Sequence, residues 1–415
     1  MLKNYIKIAW KVLLRRKFFT FISLFGISFT LMILMVATAM IDHVTGSATP
    51  ETRMNRMLFV NFIQMINTKS VGMMKTLPSY YYINHYIKSM KTPEKVAISS
   101  MTKGVNSYIN NKRLSLDLKY TDANFWEILE FKFLAGKPFN QQDLQQANHV
   151  AVISAHTRDL YFGTAADAVG KTIIVDGERY RVAGVVENVP FTRLNSYSNV
   201  WVPLSLANIN KGDTGLGGEY MSIILAKSAA DIPKIKAEYQ SVVKKVKIPD
   251  PNNWDKFYSF ADSVLEVLTR QILGDVNDSG LAKLYTMLLL ITFLFMLMPT
   301  INLVNLNVSR IMERSSEIGV RKAFGASSRT LIGQFLIENI FLTLLGGVLG
   351  LILSEIVLQL ISNSGILPYA QLNLNWRVFG IGIGLSLVFG LLSGVYPAFK
   401  MSKLQAVEAL KGGTI

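Results

Sequence analysis

The chain has no cysteine, and only 17% of its 415 residues carry a charged side chain. Without cysteine it has neither a disulfide framework nor a thiolate metal site, so a folded domain must depend on an ordinary hydrophobic core. His43, His85, His149 and His156 lack the spacing of metal ligands, and no G-x-S-x-G nucleophile motif occurs. We therefore expect a non-catalytic chain with no metal or cofactor of its own.

Hydrophobic residues make up 50% of the chain, and four apolar runs account for the excess. These runs cover residues 18–41, 284–306, 331–361 and 378–399. A helix needs about 20 apolar residues to cross the hydrocarbon core of a bilayer. The sequence therefore predicts a membrane protein with four transmembrane helices. Ala37-Thr38-Ala39 resembles a signal cleavage site, but the first run is longer than a signal peptide requires, so we expect it to be retained.

Positive charge predicts the orientation of these helices. Residues 1–17, 307–331 and 400–415 together carry fourteen basic and three acidic residues. Short basic segments stay in the cytoplasm, so both termini are expected there, with the long stretch after the first run outside. The net charge of +15 then faces the anionic lipids of the inner leaflet. We expect membrane lipids, and no nucleic acid, as partners.

The predicted organisation has nine segments. They are an amphipathic cytoplasmic helix at 1–17, the first span at 18–41, an extracytoplasmic domain at 42–283, the second span at 284–306, a cytoplasmic loop or helix at 307–330, the third span at 331–361, a short outer loop at 362–377, the fourth span at 378–399 and a cytoplasmic tail at 400–415. Lys3, Lys7 and Lys11 recur every four residues and give the first segment one basic face, which is typical of a helix lying along a membrane.

The extracytoplasmic segment has the pattern of an α+β domain. Residues 171–189 alternate apolar and polar side chains on both sides of Asp176-Gly177, which predicts a tight hairpin. Residues 149–154, 199–205 and 220–227 have the composition of strands, and 231–247 has helical spacing. Residues 42–100 give no clear pattern.

Residues 165–172, A-A-D-A-V-G-K-T, resemble a phosphate-binding loop. A true loop of this kind leads into a helix whose N-terminus holds the phosphate. Here Lys171-Thr172 leads into a predicted strand instead. We therefore interpret the segment as a turn that precedes the hairpin.

The inner loop has a more specific pattern than a cytoplasmic location requires. Glu317 and Arg321 are four residues apart in the order that stabilises a helix. Gly319 and Gly325 permit a close approach or a helix end. Because basic residues alone would keep a loop inside, this arrangement predicts a surface for a protein partner.

Ten residues of this loop form a motif: Arg314, Glu317, Ile318, Gly319, Val320, Arg321, Lys322, Ala323, Gly325 and Ala326. With this motif the chain resembles the MacB/FtsX-type permeases of ABC transporters, in the form that has a periplasmic core domain. Weaker similarities lie at both ends of the chain and at 135–139 and 169–173. The first span departs from the family's Gly-Leu-x-x-Gly, since it has Gly26-Ile27-Ser28-Phe29.

The resemblance implies a subunit of the bacterial inner membrane that dimerises and docks on an ABC ATPase. The ATPase, with its ATP and Mg²⁺, is expected in a partner chain. The motif residues would form a coupling helix, and ATP-driven motion would pass to the periplasmic domain to drive efflux or substrate extraction. A periplasmic adaptor and an outer-membrane channel are further implied partners. The small-residue spacings Gly346/Gly350 and Gly390/Gly394 predict close helix packing.

Three alternatives remain open at this stage. The chain could be a lipoprotein-release permease, an FtsX-like regulator of an extracytoplasmic enzyme, or a membrane-anchored sensor or scaffold without an ATPase. The length of 42–283 favours transport over regulation, and the motif argues against the scaffold. The substrate and the choice between homodimer and heterodimer are left open. So is the role of Glu338, an ionisable residue in the third run that is either functional or close to the inner interface.

Overall fold

The computed structural model describes residues 10, 14, 17–70, 72–109, 112–313, 320, 324, 328–370 and 372–402. Clustering divides the chain into two compact units. The helical unit comprises residues 1–42, 285–364 and 371–415, and the outer domain comprises residues 43–284 and 365–370.

The helices, in chain order, are α1 (Lys17–Thr45), α2 (Tyr80–Tyr82, continued by a π turn at Ile83–Ile87), α3 (Ala123–Ile128), α4 (Gln141–Gln145), α5 (Ala155–Phe162), α6 (Ile232–Val243), α7 (Val264–Ile272), α8 (Leu281–Glu313), α9 (Ser328–Asn363) and α10 (Trp376–Ser402). The strands are β1 (Met57–Val60), β2 (Ile63–Asn67), β3 (Gly72–Pro78), β4 (Lys95–Ser100), β5 (Lys103–Ile109), β6 (Lys112–Thr121), β7 (Phe133–Gly136), β8 (Val150–Ser154), β9 (Thr172–Val175), β10 (Glu178–Val186), β11 (Val200–Pro203), β12 (Gly217–Gly218), β13 (Tyr220–Leu225) and β14 (Lys256–Ser259).

Helices α1, α8, α9 and α10 contain the four apolar runs. Among the described residues, Thr20–Thr45 and Leu336–Asn363 are long and apolar enough to cross a membrane, whereas Leu281–Leu297 and Trp376–Leu392 are shorter apolar helices. Each helix continues past its apolar run, because backbone hydrogen bonding does not stop where polar side chains begin. The number of four spans stays a prediction.

Most of the predicted amphipathic helix at 1–17 lies outside the described residues. Trp10 and Leu14 are described, and both are helical and exposed. The Trp10 ring meets the Phe341 ring of α9 edge to face, with 6.2 Å between ring centroids.

The outer domain has two sheets. The larger sheet has the order β1-β13-β4-β6-β11-β8-β10-β7, with β5 paired to β6 and β9 paired to β10. Its β8–β10 and β6–β11 pairs are parallel, and the others are antiparallel. The smaller sheet has the order β12-β3-β2-β14. Helices and strands are mixed in this way in an α+β domain, as the sequence predicts.

Large side chains fill the core of the outer domain. Trp201, Tyr82, Tyr239 and Phe59 are fully buried. The Tyr82 and Tyr239 hydroxyls lie 2.9 Å apart, and the Tyr239 hydroxyl lies 2.6 Å from Oγ of Ser259. These hydrogen bonds satisfy polar atoms that would otherwise destabilise the core.

Several local predictions are confirmed. Asp176 and Gly177 have φ of 54° and 83° and connect β9 to β10, which is the predicted hairpin. The strands expected at 149–154, 199–205 and 220–227 are β8, β11 and β13. Thr172 begins β9 directly after the segment that resembles a phosphate-binding loop, so the interpretation as a turn is confirmed.

One helix boundary is wrong. The helix expected over 231–247 ends at Val243, because the next residues include three lysines and are followed by Pro249. Like charges one turn apart repel, and the residue before a proline avoids the helical conformation. Residues 42–100, which sequence patterns left unassigned, contain the end of α1, four strands and the π turn.

Candidate functional site

The predicted coupling motif lies almost entirely outside the described residues. This applies to Arg314, Glu317, Ile318, Gly319, Arg321, Lys322, Ala323, Gly325 and Ala326. Val320 is described, as is Phe324, which sequence reasoning did not select. Phe324 N donates to Val320 O over 3.0 Å, which is a helical hydrogen bond.

Both of these side chains are exposed. Val320 is 44% exposed and Phe324 is 88% exposed. An exposed phenylalanine beside a basic motif is a typical anchor of a protein interface, where aromatic residues are enriched. The signal that could have identified it was an aromatic residue between Ala323 and Gly325, inside the motif itself.

Small residues of α9 lie directly against α1. A Cβ added to Gly346 would lie 2.8 Å from Cγ2 of Ile27. A Cβ added to Gly350 would lie 3.0 Å from both Cβ of Leu31 and the Ser28 carbonyl oxygen. The two helix backbones can therefore approach closely only because these positions lack a side chain.

The same absence of side chains occurs between α9 and α10. A Cβ on Gly390 would lie 2.6 Å from Oγ1 of Thr343. Gly394 also lies on α10, in the part of that helix where side-chain surroundings are not described.

The helical unit buries several polar side chains. They are Ser23, Ser28, Thr30, Glu338, Asn339, Thr343, Ser354 and Ser386. Glu338 is 3% exposed, so its side chain is enclosed by protein rather than placed at an interface with water. Thr343 Oγ1 donates to the Asn339 carbonyl over 2.9 Å. An ionisable residue enclosed in this way is costly and commonly functional in membrane proteins.

The outer domain holds the end of α1 through one buried ion pair. We call residues 43–51 together with the loop 190–199 the α1 junction. Nη1 of Arg193 lies 2.8 Å from Oε2 of Glu51, and both side chains are 2% exposed. Nη2 of Arg193 donates to the carbonyls of His43 and Gly46 over 3.1 and 3.0 Å. The last carbonyls of a helix lack intrahelical partners and carry partial negative charge, so the guanidinium satisfies them.

Further contacts fix the α1 junction. Ser196 Oγ donates to Oε1 of Glu51 over 2.8 Å. Nε2 of His43 lies 2.9 Å from Oγ1 of Thr192. Asn61 Nδ2 donates to Oδ1 of Asn195 over 2.9 Å. The loop 190–199 is therefore held at many points, although it contains no helix or strand.

Beneath this loop lies a fully buried lysine on β6. Nζ of Lys119 donates to the carbonyls of Leu194 and Asn195 over 2.9 and 3.0 Å. Burial lowers the pKa of Lys119 to about 7, and the nearby carboxylates of Glu51 and Asp117 oppose that effect. Lys119 thus adds a titratable group to the α1 junction.

The outer domain also contains cavities of a size suited to a small molecule. One has a volume of about 460 Å³, and its lining includes Lys88, Asp122, Asn124 and Gln141. Lys88 Nζ lies 3.1 Å from Oδ2 of Asp122. Burial raises the pKa of Asp122, and Lys88 opposes the shift. Among the described residues, no group of three His, Asp or Glu side chains is arranged to hold a metal ion.

Two family models match this chain. The one described as "MacB-like periplasmic core domain" matches residues 20–242, and the one described as "FtsX-like permease C-terminal" matches residues 289–406. Together they cover more than half of the sequence. The chain therefore belongs to the MacB/FtsX-type family of ABC transporter permeases, which are membrane proteins with a periplasmic domain.

Individual relatives agree with this assignment. The chain is 25% identical over 415 residues to the macrolide export ATP-binding/permease protein MacB of Escherichia coli (strain K12), covering 98% of this chain and 60% of that protein. It is 24% identical over 328 residues to an uncharacterized ABC transporter permease, YknZ, of Bacillus subtilis (strain 168), covering 78% of each. The periplasmic region of MacB from Actinobacillus actinomycetemcomitans aligns with 52% of this chain at 16% identity and a TM-score of 0.36. The chain thus spans 60% of the length of its MacB relatives.

Proposed function

We propose that this chain is the permease subunit of a MacB/FtsX-type ABC transporter, and that it relays motion of an ATPase to its periplasmic domain. The work done there is efflux or extraction of a substrate. Each permease pairs with a second copy or a similar chain and docks on the ATPase through the segment between α8 and α9. Both termini lie in the cytoplasm, and four helices cross the membrane.

The observation that carries this proposal is the α1 junction. A relay needs a stiff connection between a membrane helix and the domain that does the work. Arg193 binds the last carbonyls of α1 and forms a buried ion pair with Glu51, so movement of the end of α1 must move the loop 190–199. Interiors packed in this way transmit displacement with little compression.

Export is favoured over the alternatives by the relatives' printed description as macrolide export proteins. A lipoprotein-release permease would use the same relay with another cargo, and an FtsX-like regulator would act on an extracytoplasmic enzyme. A sensor or scaffold would have no ATPase at all. Purification of the chain from its native membrane separates this last alternative, since an ATP-hydrolysing subunit should accompany only a transporter or regulator.

The coupling surface is tested by truncating its exposed aromatic residue. We expect Phe324→Ala to weaken binding of the ATPase subunit by about ten-fold or more, because buried aromatic anchors contribute most to interfaces. Arg321→Ala and Glu317→Ala should lower ATP-driven transport in the reconstituted complex in the same way. The measurements are ATPase co-purification and transport in vesicles.

Leu289→Ala is the matched control, because Leu289 is an equally exposed apolar residue in the middle of α8. It should leave both ATPase binding and transport unchanged. If Phe324→Ala, Arg321→Ala and Glu317→Ala all keep full ATP-driven transport, the segment between α8 and α9 is not the coupling surface.

A further inference from the structure

The outer domain exposes four apolar side chains on two loops. Phe191 and Leu194 are 51% and 53% exposed on the loop 190–199. Ile366 and Tyr369 are 75% and 38% exposed on the loop that follows α9. We call these four residues the apolar rim.

Hydrogen bonds place the first loop at the end of α1. Thr192 and Arg193 bind His43, at its ring and its carbonyl respectively. His43 follows the apolar run 18–41 after a single residue, Asp42. A helix rises 1.5 Å per residue, so His43 lies only about 3 Å along the axis beyond the last apolar residue. Phe191 and Leu194 are therefore close to the level at which α1 leaves the hydrocarbon.

The second loop begins at the end of another apolar helix. The candidate span in α9 ends at Asn363, and Ile366 follows three residues later. The Tyr369 ring lies 5.9 Å from the His156 ring, between centroids. The backbone N–H of His156 donates to Oδ1 of Asn188, two residues before the loop 190–199. Both loops thus belong to one side of the outer domain.

We propose that the apolar rim inserts into the interfacial region of the outer leaflet, so that phospholipid is its partner. Phenylalanine, leucine and isoleucine gain free energy when they leave water, and tyrosine is enriched at the level of lipid headgroups. Two loops that start within a few residues of apolar helix ends reach that level without any rearrangement. The charged atoms nearby do not oppose insertion, because Arg193 and Glu51 neutralise each other inside the domain.

This docking serves the relay without being part of it. The α1 junction is the point at which the helix pulls on the domain, and the apolar rim would keep that point at a constant depth in the membrane. The proposal depends only on the membrane location of the chain. It holds whether or not an ATPase drives the domain.

Single introduced cysteines test the insertion, since the chain has no cysteine of its own. Phe191→Cys, Leu194→Cys and Ile366→Cys variants of the full chain are labelled with a nitroxide and reconstituted in vesicles of phosphatidylethanolamine and phosphatidylglycerol. Collision with oxygen, which concentrates in lipid, is compared with collision with a water-soluble nickel chelate. No nucleotide or ATPase is present, so the result is independent of the relay.

Tyr108→Cys is the matched control. Tyr108 is 63% exposed and lies on β5, five residues from Lys103. Lys103 pairs with Leu118, the neighbour of Lys119, and Thr102 donates to the Tyr197 carbonyl. The strand rises about 3.4 Å per residue, so Tyr108 lies roughly 17 Å along β5 from the start of the strand near the α1 junction.

We expect the ratio of oxygen to nickel accessibility at positions 191 and 194 to exceed that at position 108 by about ten-fold or more, since burial of side chains of this size is favoured by at least that factor. A ratio equal to that of the control at both positions would mean that the apolar rim is in water, and the proposal would be wrong. Protection from both reagents would mean that a protein, such as a second copy of the chain, covers the rim, and this outcome would also overturn it. Because the three side chains are exposed, their replacement leaves the core intact.

Discussion

Lys119 and Arg193 place two cations in one buried region of the outer domain, and the sequence pattern hid the first of them. In β6, Leu114, Leu116 and Leu118 alternate with Ser115, Asp117 and Lys119, which predicts a polar, solvent-facing side for the lysine. The structure buries Lys119 because the loop 190–199, about 75 residues later, covers that side and offers two carbonyls. Local periodicity carries no information about such a distant cover.

The titration of Lys119 leads to a prediction for stability. Its pKa is about 7 in the folded domain and 10.5 in an unfolded chain, so folding releases a proton between these values. The contribution of Lys119 to the free energy of unfolding should therefore rise with pH from about 7 to about 10.5, by at most about 1.4 kcal/mol per pH unit. Urea unfolding at several pH values, followed by the fluorescence of buried Trp201, measures this slope.

Lys119→Met should remove that part of the slope, whatever it does to absolute stability. Lys103→Met serves as the control, because Lys103 is exposed and pairs with Asp176 at the surface. An unchanged slope in Lys119→Met would show that another group is responsible for the pH dependence.

Among the helices, packing distances rather than hydropathy distinguish one apolar segment from another. The apolar runs, the hairpin and the strands β8, β11 and β13 were predictable because each has a local period or a local turn residue. The neighbours of Gly346 and Gly350 were not, because the spacing of small residues predicts a close contact but does not name the partner helix. The end of α6 at Val243 was missed because helical periodicity continued beyond the lysines that end it.

The contact of Gly350 with α1 gives a prediction at this scale. Gly350→Val should lower the free energy of unfolding of the helical unit by about 1–3 kcal/mol, because its side chain has to displace Leu31 and the Ser28 backbone. Gly384→Val on α10 makes the same change where no atom lies within 4 Å of the added Cβ. Thermal unfolding in detergent compares the two variants, and equal stability would argue against close packing of α9 on α1.

For the whole molecule, the site that the sequence identified and the site that the structure describes are different. The coupling motif was visible in the sequence because ten residues between two apolar runs match a family pattern. The α1 junction was not, because Glu51, Arg193 and Lys119 are scattered through the chain and meet only in the fold. The proposed relay needs both sites, the motif to receive motion and the junction to deliver it.

Removal of the guanidinium tests delivery. Arg193→Ala leaves Glu51 buried without its cation, which typically costs about 3–5 kcal/mol. We expect transport in reconstituted vesicles to fall sharply while ATP hydrolysis by the bound partner continues, because the helix end no longer holds the loop. Lys132→Ala is the control, since the Lys132–Glu187 pair is exposed and should contribute less than about 1 kcal/mol. Parallel loss of ATP hydrolysis and transport in Arg193→Ala would contradict a role in delivery alone.

The strand order has a consequence for how this protein is made. Met57 of β1 pairs with Leu225 of β13, and Ile63 of β2 pairs with Ser259 of β14. If the chain is threaded through the translocon from its N-terminus, the earliest strands emerge long before their partners and wait with open edges. Unpaired edges are sites of aggregation during slow biogenesis. Both sheets close only after export has reached Ser259, about twenty residues before α8 has to enter the lipid, so folding outside and insertion of the second helix compete for the same short interval.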